Sequence, residues 1–125
     1  MSLITSLKVH DIPKVKYKTG DKLTEEGAPG CIVYVLSKGM VEVSVEGTVL
    51  ATVTESGSIF GEIALMCGCN HSATVTVVEE SEFFVLHDFI GFLRKNPEDS
   101  LLVIKSLCER IVMMNDNEIS RRIHY

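Results

Sequence analysis

The first two-thirds of the chain carries short apolar runs, several of them alternating apolar and polar positions. Residues 40–45, Met40-Val41-Glu42-Val43-Ser44-Val45, alternate with period two, and residues 48–53, Thr48-Val49-Leu50-Ala51-Thr52-Val53, read as a second such run after Glu46-Gly47. Period two predicts strands with one wet face, and a short Gly-containing link between two such runs predicts a tight hairpin. Further short strands are expected at residues 15–18, 31–36, 72–78 and 82–86, with one ending at Ile59-Phe60. Thr19-Gly20-Asp21, residues 26–30, Lys38-Gly39 and Glu79-Glu80-Ser81 read as turns between them. Many short strands at this spacing favour a sandwich or small barrel.

The period changes in the last third. Phe89 to Lys95 reads as a short helix with Asp88 as its cap, and Asn96-Pro97 ends it. Residues 98 to about 120 read as one long helix, with Glu98 and Asp99 at the end where acids suit the helix dipole. Ile104, Leu107, Ile111 and Met114 fall three and four apart with Cys108 on the same face, and Leu101, Val103, Val112 and Met113 broaden it. So wide an apolar surface is expected to pack on two sides, one against the β-body and the other against a second copy or a further domain.

Composition narrows the function classes. The chain has 125 residues, 46% of them hydrophobic and 23% charged, enough for one domain, residues 1–125, with its own core. The formal net charge of -5 argues against general binding to nucleic acid. Five Lys and two Asp within residues 1–22 give a local excess of positive charge, which reads as a solvated edge strand guarded by lysines. No apolar run approaches the roughly 20 residues of a membrane span, and the N-terminus lacks a signal-peptide pattern. A soluble, cytoplasmic protein is the expectation. Cys31 and Cys108 sit in apolar runs and read as small core residues.

The segment with the most chemistry is residues 58–75. Gly61 permits an unusual backbone turn and close ligand approach. Residues 62–66 have the length of one helical turn or slightly more, and amides exposed after a glycine suit an anion such as phosphate. A carboxylate beside that spot, Glu62, would repel phosphate and so is aimed at a hydroxyl donor. An anion cradle next to a hydroxyl acceptor describes a sugar phosphate. Cys67, Cys69 and His71 also form a C-x-C-x-H cluster, which leaves a metal or redox sensor as an alternative, although a structural zinc normally wants four ligands.

Phe60-Gly61-Glu62-Ile63-Ala64-Leu65, a spacer and Ser72-Ala73-Thr74-Val75 resemble the phosphate-binding cassette of the cyclic nucleotide-binding domain family. The glycine-punctuated strands around Gly20-Asp21, Glu26-Gly27 and Lys38-Gly39 and the closing helices extend the resemblance over about residues 13–120. It implies a mainly β fold, a double-stranded β-helix or jelly roll (about 13–86) flanked by helices, with a C-terminal helical part (about 87–120). It implies a non-catalytic regulatory module that needs no cofactor and takes cAMP or cGMP as ligand. Gly61, Ile63 and Ala64 would face the cyclic phosphate, Glu62 the ribose 2′-OH, and Ser72 and Ala73 would close the site. The long helix would cover the base near Met114 and Asn115. Ligand would draw that helix over the pocket, and a homodimer through it is a further expectation.

One departure stands out. Where the family places arginine, this chain has His71. Arginine offers a permanent charge and a planar fork for two oxygens, whereas histidine titrates near 6.5. Losing a charge-assisted contact costs about 1.5–3 kcal/mol. The competing reading is therefore an interaction or dimerisation module of the same fold that no longer takes nucleotide.

Overall fold

A computed structural model describes residues 2–116, the last four by backbone alone. In chain order the elements are α1 (Leu3–Val9), β1 (Lys14–Tyr17), β2 (Lys22–Thr24), β3 (Val33–Val45), β4 (Thr48–Val53), β5 (Ile59–Phe60), α2 (Glu62–Cys67), β6 (Thr74–Leu86), α3 (Phe89–Lys95) and α4 (Pro97–Asp116). The architecture is mostly β, as the alternation predicts: a six-stranded antiparallel sheet with flanking helices and a long helix after it.

Two 13-residue strands, β3 and β6, form the backbone of the sheet. They pair with each other, and β1 and β4 form the outer positions in the order β1-β6-β3-β4. The hairpin expected at Glu46-Gly47 joins β3 to β4. The turns expected at Lys38-Gly39 and Glu79-Glu80-Ser81 are absent, because both strands run straight through them. The two segments lie opposite each other, and the register shifts between Lys38↔Glu82 and Met40↔Glu79. They are facing irregularities where paired strands bend together. Gly39 has φ +128°, and a Cβ there would overlap Ser81. The Met40 amide donates to Ser81 Oγ at 3.0 Å, and Ser81 Oγ donates to the Glu79 carbonyl at 2.7 Å.

Alternation divides the core in two. Leu36, Val41, Val43, Phe60, Val75, Val77 and Phe83 pack inside the roll, whereas Val33, Val35, Ile59, Phe84 and Leu86 face the helices and meet Leu7, Phe89, Phe92 and Val103. Neighbours such as Phe83 and Phe84, or Ile59 and Phe60, serve opposite faces, as the strand period requires.

The helix α1 has no counterpart among the sequence-based expectations. Ser2 caps it by accepting from the Thr5 amide at 3.2 Å, Leu7 is fully buried, and Ser6 Oγ donates to the buried Asp99 of α4 at 2.5 Å. β1 is the expected lysine-bearing edge strand, with Lys14 3.2 Å from Glu82. The cap at Asp88 is present, its carboxylate accepting from Gly91 N. On α4 the inward residues are Val103, Leu107 and Arg110, not Ile104 and Ile111. Leu101, Ile104, Ile111 and Val112 are each more than half exposed. Among the described residues no helix is long and apolar enough to cross a membrane.

Candidate functional site

The chain leaves the sheet at Gly61. Its φ of +89° is left-handed, and a Cβ there would come within 2.6 Å of the Ile32 carbonyl oxygen, so only glycine fits. α2 follows at once and ends at Gly68, also left-handed. The spacer after it is pinned to residues 25–31: the His71 amide donates to the Ala28 carbonyl and its carbonyl accepts from Gly27 N, both at 2.9 Å. Thr24 Oγ1 donates to the Ala73 carbonyl at 3.0 Å.

These elements enclose a cavity of about 10 Å³, lined by Thr24, Gly61, Ile63, Ala64, His71, Ser72, Ala73 and Val75. That is room for about one water. Six of the eight residues expected at the site, Gly61, Ile63, Ala64, His71, Ser72 and Ala73, therefore meet around one hollow. Asn115, like Met114, lies outside the residues whose side chains are described. Burial lowers the His71 pKa and favours the neutral imidazole.

Glu62 points elsewhere. It is fully buried, and Arg110 Nη1 of α4 lies 2.6 Å from its Oε1, while Arg110 Nη2 donates to the Ile59 carbonyl at 2.7 Å. The Arg110 guanidinium and the Glu62 main-chain amide both favour the charged carboxylate. Burial pushes the Glu62 pKa up to about 7 against the opposing pull of Arg110. Sequence reading misses Arg110. Its signal is a cation seven residues after Val103 and three after Leu107, on a stripe that turns inward. Beside Arg110 a larger recess of about 280 Å³ opens between α4 and residues 52–58, lined by Thr52, Val53, Thr54, Glu55, Ser58, Ser106 and Glu109 as well.

The cysteines correct two expectations. Cys31 and Cys108 are exposed rather than core, as are Cys67 and Cys69, and all four are free thiols. Cys108 lies on the α4 face opposite the inward stripe of Val103, Leu107 and Arg110. Among the described residues no group of three or more His, Cys, Asp or Glu side chains is placed to hold a metal ion.

Comparison with known proteins places the fold and cassette in context. The chain is 38% identical over 72 residues to isozyme 2 of the cGMP-dependent protein kinase of Drosophila melanogaster, covering 58% of this chain and 6% of that protein. It is 32% identical over 73 residues to the cAMP-dependent protein kinase regulatory subunit of Debaryomyces hansenii, covering 58% of this chain and 16% of that one. The chain thus spans only a small part of these relatives. Its fold is similar to that of the Thermus thermophilus catabolite activator protein (TM-score 0.74, 23% identity, 89% of this chain and 55% of that one). It also resembles PKAR CBD2 bound to Sp-2Cl-cAMPS (TM-score 0.68, 24% identity, 93% and 79%). The sequence pattern of the cyclic nucleotide-binding domain matches residues 14–96, so a cassette at Gly61 on a six-stranded antiparallel roll marks this chain as a member of that family.

Proposed function

We propose that this domain is a non-catalytic regulatory module of the cytoplasm that binds a cyclic mononucleotide, cAMP or cGMP, and relays occupancy through α4. Its supporting observation is Glu62: a fully buried carboxylate directly after Gly61, ion-paired to Arg110 of α4 and with its pKa pushed up to about 7 by burial. A buried carboxylate is costly unless its lone pairs are filled, and a ribose hydroxyl adds a donor beside the Arg110 cation. That same hydroxyl changes how tightly Glu62 holds Arg110, so ligand shifts the position of α4 by differential affinity. Gly61, Ile63, Ala64, Ser72 and Ala73 serve the phosphate, and the recess beside Arg110 serves the base.

Calorimetric titration with cAMP and cGMP at pH 6 and pH 7.5 tests this. Saturable binding is expected, tighter at pH 6, where a protonated His71 meets the phosphate. Affinity indifferent to pH removes His71 from the phosphate contact.

The small cradle and the histidine in it favour a second reading, an interaction module that takes no nucleotide. Absence of heat at millimolar ligand selects it. Under either reading a second copy docks on α4, where Leu101, Ile104, Cys108 and Ile111 repeat at intervals of three, four and three on the exposed side.

A further inference from the structure

His71 is one of the side chains that line the small cradle. A Cβ built on Gly30 would lie 2.8 Å from His71 Cε1, 3.0 Å from Nε2 and 2.7 Å from Ala64 Cβ, and one on Gly61 would lie 3.7 Å from Cε1. The ring edge therefore rests in a slot between two glycines, beside Ala64. Both main-chain polar groups of His71 are bonded to residues 27 and 28, so only the side-chain torsions are free to change. With the ring in place the hollow has room for about one water, so a phosphate group that enters it meets the imidazole.

We infer that His71 is an internal occupant of the phosphate cradle that sets its affinity, and that Gly30 is the positioning residue that makes room for the ring. The inference rests on the nucleotide-binding reading. An entering anion first displaces the imidazole and loses its packing. The ring is half-buried, and the hollow it borders is lined by groups without charge: Thr24 of β2, Ile63 and Ala64 of α2, and Ser72, Ala73 and Val75 leading into β6. None of these stabilises an imidazolium, so protonation favours the displaced rotamer, where the cation pairs with phosphate.

His71→Ala separates occupation from contact. At pH 8 the wild-type ring is neutral, so the substitution removes an occupant and no charge. The variant is expected to bind cAMP or cGMP at least several-fold more tightly than wild type by calorimetry at pH 8, with the advantage shrinking at pH 5.5. Equal or weaker binding by the variant at pH 8 overturns the inference and leaves the nucleotide reading intact. No binding by either protein at millimolar ligand overturns both. NMR titration of the wild-type His71 ring supplies a second readout, independent of any variant's folding. Its midpoint is expected below the usual value in the free protein and higher in the saturated one, and a midpoint unmoved by ligand counts against displacement. Gly30→Ala is expected to raise the free-protein midpoint, and an unchanged midpoint in the folded variant removes Gly30 from the role.

Discussion

Arg110 on α4 and Glu62 at the start of α2 are joined across the interior, Nη1 to Oε1 at 2.6 Å, with the second guanidinium nitrogen on the Ile59 carbonyl. The contact links the C-terminal helix to the segment that begins at Gly61. Little of it is exposed to water: the side chains are 13% and 1% accessible. Screening is therefore weak, and breaking the pair is expected to change stability.

Arg110→Met is expected to destabilise the domain by up to about 3–5 kcal/mol at pH 8, because it leaves the buried Glu62 either ionised without a partner or obliged to take a proton at alkaline pH. At pH 5.5 Glu62 takes a proton and the cost shrinks. Urea unfolding of both proteins at the two pH values checks this, and an equal loss at both would mean that Arg110 acts through packing rather than charge.

Glu62 itself gives stability an inverted pH dependence. Its pKa of about 7 in the folded protein lies above the ordinary 4.5, so between those values the folded state binds more protons than the unfolded one. Stability therefore falls as pH rises through that window, by at most about 3 kcal/mol from this group. The expected result is that wild type loses unfolding free energy relative to Glu62→Gln between about pH 4.5 and pH 7. A constant difference between the two would place the Glu62 pKa at its ordinary value.

The strands, the hairpin and the closing helices are legible in the sequence because alternation and helical spacing follow directly from which face is buried. Six cradle residues are legible through the cassette's order. What local sequence does not carry is pairing across the chain. Lys38-Gly39 and Glu79-Glu80-Ser81 have turn composition, yet each is held in an extended strand by the other. Arg110 has the look of a solvated helix cation because its partner lies 48 positions earlier. His71 is readable as a missing arginine but not as a ring lodged between Gly30 and Gly61, since that slot exists only after residues 27–28 and 71 are bonded together.

The paired bend in β3 and β6 makes a specific demand on Gly39. An added methyl meets Ser81, whose hydroxyl bridges the two strands, and the φ of +128° is strained for any other residue. Gly39→Ala is expected to lower stability by about 2 kcal/mol or more, read from the urea midpoint with the slope unchanged. A loss below about 0.5 kcal/mol, the size of an ordinary surface substitution, would show that the bend tolerates a side chain.

The outer face of α4 bears on assembly. Leu101, Ile104, Cys108 and Ile111 lie on one stripe with the three-four spacing of a coiled-coil seam, and they point away from Val103, Leu107 and Arg110 on the inward side. Two copies related by a two-fold axis would bury such a stripe on both sides at once. Light scattering at high protein concentration is expected to give the mass of a dimer. Ile104→Glu with Ile111→Glu is expected to give a monomer whose unfolding midpoint stays near that of wild type, because both positions are exposed within the single chain. A wild-type protein that stays monomeric at high concentration would contradict the dimer, and a doubly substituted protein that still dimerises would move the interface off this stripe.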